Sequence, residues 1–168
     1  MDLQIKGKKA IMAGGSAGMG RATAERLAEA GVELVITARR KERLEKAATE
    51  ISTKYGVNVT PIVADSSKPA DRARLLQACP GPDILGITIK PPAPNGDFLN
   101  VTPEMWRESI DTALIGPVEL MRQYIPHMKS AGWGRIVNIA TFSAKNPMVW
   151  RLMSGPARSA PVSYTHLR

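Results

Sequence analysis

At 168 residues the chain is long enough for one domain with a substantial core and too short for two ordinary ones. Apolar residues make up 43% and charged residues 23%, ordinary globular proportions, and no apolar run approaches the length that crosses a bilayer, which sets aside a membrane-spanning role. The formal charge is +8, but the basic residues are scattered and aromatics are only 5%, so no nucleic-acid stacking platform is visible and the surface is read as one that favours small anions.

From the N-terminus, Met1 to Lys9 lacks the apolar core and cleavage site of a secretory signal, and the lone Cys79 cannot form an internal disulfide; a cytoplasmic location is expected. Lys8 to Ala13 reads as a strand that runs into a glycine cluster, followed by a helix from Met19 to Ala30 with Gly31 as its stop. Glu33 to Ala38 is a second strand, and Lys41 to Lys54 a second helix with Leu44, Ala47, Ala48 and Ile51 on one face. Val57 to Ala64 gives a third strand and Pro69 to Ala78 a third helix. Asp83 to Ile89 is a fourth strand, closed by a loop with Pro91, Pro92 and Pro94. Thr102 is placed to cap a short helix opened by Pro103 and Glu104.

Ile110, Leu114, Val118, Met121, Ile125 and Met128 then recur at steps of three and four, the stripe of a long buried helix, with Gly116 and Pro117 expected to kink or interrupt it. The methionines are read as core. After a turn at Gly132 and Gly134, Arg135 to Ala140 is a fifth strand. Strands alternating with helices of this length predict an α/β fold with a parallel sheet and helices on both faces, because parallel neighbours need crossover connections.

Between the first strand and first helix stand Gly14, Gly15, Ser16, Ala17, Gly18, Met19 and Gly20. That is where backbone amides and a helix dipole can face a pyrophosphate, and side chains there would block either the tight turn or the approach of the phosphate. The loop resembles the first-turn motif of the short-chain dehydrogenase/reductase family, Thr-Gly-x-x-x-Gly-x-Gly, at Ala13, Gly14, Gly18 and Gly20, with alanine in place of the threonine. Asp65 after the third strand, Asp83-Ile84-Leu85 opening the fourth, and Gly134 to Ile139 in the fifth extend the resemblance from about Lys6 to Ala160. It implies a Rossmann-type doubly wound sheet of seven strands, of which about five are expected in this chain, and a nicotinamide dinucleotide held by Gly14, Ser16, Gly18, Met19 and Gly20.

NAD-selecting enzymes commonly place a carboxylate at the end of the second strand, whereas here Ala38 is followed by Arg39, Arg40 and Lys41. A guanidinium pairs bidentately with the 2′-phosphate of NADP, so NADP is expected ahead of NAD. By resemblance Asp65 and Ser66 meet the adenine, and Asn138 holds neighbouring backbone.

The family's chemistry rests on a Tyr-x-x-x-Lys pair, a serine and an asparagine. The resemblance puts Ala113 at the asparagine, Thr141 at the serine, Ser154 at the tyrosine and Arg158 at the lysine, so every one of them is replaced. Thr141 keeps a hydroxyl for a carbonyl and Arg158 keeps donors for cofactor ribose or phosphate, but the Ser154 hydroxyl is a poor acid near neutral pH. Ile87, Thr88, Ile89 and Lys90 replace the usual Asn-Asn-Ala-Gly.

Tyr164 with Arg168 repeats the Tyr-x-x-x-basic spacing but lies too far beyond Thr141 to suit the family. Val162 to Arg168 resembles the translated end of a transposon-derived sequencing adapter. Residues 1–160 are therefore expected to be the N-terminal part of a single domain and 161–168 a non-native tail, which strips His166 of functional weight. On that expectation the fifth strand is an exposed apolar edge, and the polypeptide as written is poorly soluble and inactive. His127 is read as structural or exposed, and no metal site is expected.

Two functions follow as expectations. One, for the full-length parent protein, is an NADP-dependent oxidoreductase acting on a small-molecule carbonyl or secondary alcohol, with the proton supplied by substrate, water or sequence beyond this chain. The other is an NADP-binding protein, a sensor or partner subunit, without redox catalysis. The resemblance also implies, for the full-length parent, a homodimer or tetramer joined through the Ile110 to Met128 helix and the next one, which is expected to be mostly missing from this chain. A 3-oxoacyl carrier-protein reductase would suit the family, although no residue here recognises a pantetheine arm.

Overall fold

Five short strands carry the architecture in the computed structural model, which describes residues 3–89, 98–146, 148 and 151–164. They are β1 (Lys9–Ala13), β2 (Glu33–Ala38), β3 (Val59–Val63), β4 (Ile84–Ile87) and β5 (Arg135–Asn138). All pair in parallel in the order β3-β2-β1-β4-β5, with Ile11 opposite Val35 on one side and Leu85 on the other. The third, fourth and fifth strands are shorter than the sequence suggests, because ladder pairing stops where the chain diverges toward the loops.

The crossovers are α1 (Gly18–Glu29), α2 (Lys41–Tyr55), α3 (Pro69–Ala78), α4 (Pro103–Ile110) and α5 (Gly116–Ser130), with α6 (Ser154–Tyr164) after β5. α6 runs across Pro161 without a break. Side chains alternate across each strand, so Ala10 and Met12 of β1 face one core with Ala24 and Ala28 of α1 and Leu44, Ala47 and Ile51 of α2. Ile11 and Ala13 face the other, with Leu75 and Cys79 at α3 and Leu120, Tyr124 and Met128 of α5. Helices therefore cover both faces, as a doubly wound sheet requires. Chain direction across the sheet reverses between β1 and β4, which leaves a crevice at the strands' C-terminal ends.

The segment expected as a short helix and a separate long one is a continuous helical run from Pro103 to Ser130. Thr102 caps it as expected, its Oγ1 accepting from Met105 N at 3.4 Å. The break expected at Gly116 and Pro117 takes the form of a π-turn over Asp111–Ile115, in which Gly116 N–H donates to the Asp111 carbonyl five residues back. Pro117 has no N–H to continue an α-helical ladder, and the extra residue absorbs that gap.

The buried stripe also differs from the expected one. Thr112, Ala113, Gly116, Pro117, Leu120, Tyr124 and Met128 face the sheet, while Ile110, Ile115 and Ile125 are about 40% exposed and Leu114, Val118 and Met121 are half-buried. Close approach explains the choice of small residues, since a Cβ on Gly116 would stand 3.0 Å from the Ser66 carbonyl oxygen. Of the two methionines on the expected stripe, Met128 is buried and Met121 packs against the same core.

Candidate functional site

A cleft of about 820 Å³ opens along the C-terminal ends of the strands, and it is lined by the cofactor and catalytic candidates Gly14, Ser16, Gly18, Met19, Gly20, Arg39, Arg40, Asp65, Ser66, Thr141, Ser154 and Arg158, though not by Asn138. Its centre is the glycine loop. The amides of Gly14 and Gly15 both donate to the Thr37 carbonyl, at 3.0 and 3.1 Å, and tie the loop to β2.

Two of the glycines are needed because the chain meets itself, a reason the sequence does not reveal. A Cβ at Gly14, where φ is +86°, would lie 2.6 Å from Thr88 Oγ1, and one at Gly20 would run into the Gly14 carbonyl oxygen. The Thr88 hydroxyl fills the same space, within 3.4 Å of the Ala13 and Gly14 carbonyl oxygens. Gly18 differs. Its φ is +54° and a Cβ there would meet nothing, so its side of the loop is open.

Helix α1 begins at this loop without a cap: Ala17 offers no side-chain acceptor and the first turn holds no acid. The leading N–H groups of a helix have no acceptor within it, and the dipole places partial positive charge there. Together these make an anion cradle.

On the β2 side Arg39 and Arg40 are joined by Arg43, one turn into α2, which was not nominated. No acid pairs with any of the three among the described residues. At the end of β3, Asp65 is held in a turn: its Oδ1 accepts from Ser67 N at 3.0 Å and Ser67 Oγ at 2.7 Å, and its amide donates to Asp71 Oδ2 at 2.8 Å. That amide bond, then the Arg74 guanidinium, holds the Asp71 carboxyl below the usual carboxylate range. Ser66 Oγ is buried without a hydrogen-bond partner, and its carbonyl accepts from Arg72 at 2.7 Å.

The other end is built by β4, β5 and α6. Thr141 Oγ1 accepts from Ser143 Oγ at 3.3 Å, and Ser154, the first residue of α6, is buried. Arg158 reaches back to donate to the Ile89 carbonyl at 2.5 Å and the Ala140 carbonyl at 3.4 Å, bridging the ends of β4 and β5. Burial, and secondarily the charge of Arg151, push its guanidinium below its ordinary range. Ala113 is buried but does not line the cleft; its neighbour Thr112 does, and Arg151 and Phe142 complete this end.

No tyrosine or lysine lines the cleft among the described residues. Lys90, Pro91, Pro92, Pro94, the Tyr164 side chain, His166 and Arg168 lie outside them. His127 is exposed, with its ring against Gly81. Among the described residues no group of three or more His, Cys, Asp or Glu side chains is placed to hold a metal ion, and no helix is long and apolar enough to cross a membrane.

A parallel sheet with its crevice at the reversal point, an uncapped glycine loop and arginines beyond β2 together define a dinucleotide-binding α/β protein. The family model for short chain dehydrogenase matches residues 8–166, and the chain belongs to that family. It is 32% identical over 149 residues to the 3-oxoacyl-[acyl-carrier-protein] reductase FabG of Aquifex aeolicus, covering 84% of this chain and 58% of that protein. It is 30% identical over 150 residues to the uncharacterized oxidoreductase YvaG of Bacillus subtilis, covering 88% and 56%. The chain thus spans less than two thirds of the length of these curated relatives. Among solved structures, L-sorbose reductase from Gluconobacter frateurii, complexed with NADPH and L-sorbose, superposes with a TM-score of 0.92 at 28% identity, covering 98% of this chain and 64% of that one.

Proposed function

We propose that this chain holds NADP in preference to NAD, in an oxidoreductase that reduces a carbonyl or oxidises a secondary alcohol. The observation that carries the reading is one continuous cleft with an uncapped, glycine-lined helix start at its centre and, at one end, three arginines with no acid partner among the described residues. NADPH complexes among the structural relatives support the same choice.

The residues present fit a dinucleotide. The amides of Gly18, Met19 and Gly20, with Gly14 and Ser16 shaping the loop, hold the diphosphate. Arg39 and Arg40, with Arg43 behind them, hold the 2′-phosphate, for which a planar guanidinium fork is suited. Asp65 and Ser66 flank the adenine. Bound nicotinamide supplies hydride transfer. Thr141 and Ser154 hydroxyls orient the substrate oxygen, and Arg158 holds ribose hydroxyls between β4 and β5. Because neither hydroxyl is acidic near neutral pH, the balancing proton reaches that oxygen from water, from the substrate or from sequence beyond the described residues.

The replaced residues at positions 113, 141, 154 and 158 favour a second reading, a protein that binds the cofactor without turning it over. NADPH oxidation scanned across ketones and 3-oxoacyl thioesters, on this chain and on any longer polypeptide that carries it, separates the two. Carbonyl-dependent oxidation is the result expected of the longer polypeptide and not of this chain by itself; saturable binding by the longer polypeptide without oxidation of any compound favours the second reading.

A homodimer or tetramer joined through the α4–α5 run is part of the proposal, supported by the exposed Ile110, Ile115 and Ile125 on its outer face. Ile115→Glu should then shift the mass measured by light scattering toward the monomer. A reducing, cytoplasmic setting suits the buried free thiol of Cys79.

A further inference from the structure

Five arginines line the cleft, and they fall into two groups on opposite sides of the glycine loop. Arg39, Arg40 and Arg43 follow β2. Arg158 is anchored on the ends of β4 and β5, and Arg151 stands three residues before Ser154. Since β1 lies between β2 and β4, a dinucleotide with its diphosphate on the loop presents its adenosine phosphate to the first group and its reacting ring toward the second. The 2′-phosphate accounts for the first group; in the second, ribose hydroxyls engage Arg158 and leave Arg151 without a role.

The second group carries positive charge that no carboxylate among the described residues neutralises. Asp65 is the only acid lining the cleft among the described residues, and it sits at the end of β3, across β2 and β1. Neither Arg151 nor Arg158 has a carboxylate partner among the described residues. Arg158's bonds to two carbonyls use two of a guanidinium's five donors and leave its charge uncompensated. Arg151 is exposed, lines the cleft, and bears on Arg158 electrostatically. Exposed Arg151 and half-buried Arg158 therefore bring two like charges beside two hydroxyls, and an anion bound there would offset both.

We propose that the reacting end of the cleft accepts an anionic substrate, a carbonyl or alcohol compound bearing a carboxylate or phosphate, with Arg151 as the anion's direct partner and Arg158 reinforcing the field. This rests on the cofactor-binding reading above and adds the substrate class. The specificity arises because a neutral analogue leaves both guanidiniums without a counter-charge, whereas a carboxylate or phosphate matches the guanidinium fork.

The test is calorimetric titration of the NADPH-saturated chain with two matched pairs, 2-oxobutanoate against 2-butanone and dihydroxyacetone phosphate against dihydroxyacetone. The anionic member of at least one pair should bind about tenfold or more tightly than its neutral partner, as a charge-assisted hydrogen bond implies. The pair that discriminates more tells carboxylate from phosphate. Arg151→Gln should bring that preference to within about threefold, while Arg151→Lys, which keeps the charge but loses the fork, retains part of it. Equal affinities within both pairs, no binding of any probe, or a preference untouched by Arg151→Gln overturns the proposal while leaving cofactor binding intact. Failure of the unaltered chain to bind NADPH overturns the underlying reading and this one with it.

Discussion

The two ends of the cleft are built on different principles. The glycine loop and the β2 and β3 ends are shaped by backbone: amides tied to Thr37, a turn closed by Asp65 and Ser67, and glycines forced by contacts of the chain with itself. The β4–β5 end is shaped by side chains, namely Thr112 from the π-turn, Ser154 and Arg158 from α6, and Arg151 from the turn just before α6. Backbone constraints confine substitution to a few residue types, whereas side chains on a fixed scaffold change without disturbing the fold. One end can thus keep a binding motif while the other carries a replaced catalytic set.

The sharpest break of this comparison is Gly20→Val. Its branched side chain would collide with the Gly14 carbonyl and the Thr88 hydroxyl, so NADPH affinity should fall by about a hundredfold or more and stability by about 1–3 kcal/mol, as overpacking costs. Calorimetry and thermal unfolding measure both, and wild-type values in either would remove the backbone account of the loop.

Next in size is the pair Arg39→Gln with Arg40→Gln. Losing charge-assisted bonds worth about 1.5–3 kcal/mol to a phosphate should weaken NADPH by about ten- to a hundredfold and leave NADH within about threefold. Equal losses for both cofactors would mean that these arginines do not read the 2′-phosphate.

Gly18→Ala probes the open side of the loop. The positive φ should cost about 1–2 kcal/mol of stability without a packing clash, and cofactor affinity should fall by about tenfold because the new methyl group stands at the uncapped helix start. The contrast with Gly20→Val is the point: a larger stability loss for Gly18→Ala would reverse it.

The smallest effect concerns the turn that fixes Asp65. Asp71 accepts from the Asp65 amide and pairs with Arg74 at 2.6 Å, and its pKa is depressed in the fold. A depressed carboxylate pKa contributes stability that is present above the unfolded value near 4 and is lost as pH falls through the folded value. Asp71→Asn should therefore cost about 1 kcal/mol in denaturant unfolding at neutral pH and progressively less in acid below about pH 4. A constant difference at all pH values would contradict the assignment.

The backbone-built end was largely legible in sequence. Glycines at a strand-to-helix junction and arginines directly after β2 declare themselves, and every nominated residue there lines the cleft. Arg43 was missed because a charge inside a helix reads as solvated surface; it lines the cleft from the first turn of α2, just after Arg39 and Arg40. At the other end Thr112 was missed. The π-turn shifts helical phase by one residue, and only Gly116-Pro117 hints at it. The same shift, together with close packing at Gly116, left Ile110 and Ile125 of the expected apolar stripe exposed and Leu114 and Val118 half-buried. Arg151 escaped because no family motif includes it, yet Arg151, Ser154 and Arg158 stand at steps of three and four, a signal available before any fold was known.

One measurement bears most directly on the glycine loop as a diphosphate cradle: isothermal titration of the chain with NADPH, NADP, NADH and NAD in turn. Saturable one-site binding is expected, tighter for the phosphorylated pair by about tenfold or more, as pairing with a guanidinium implies. Absence of binding by all four would contradict the account at its root.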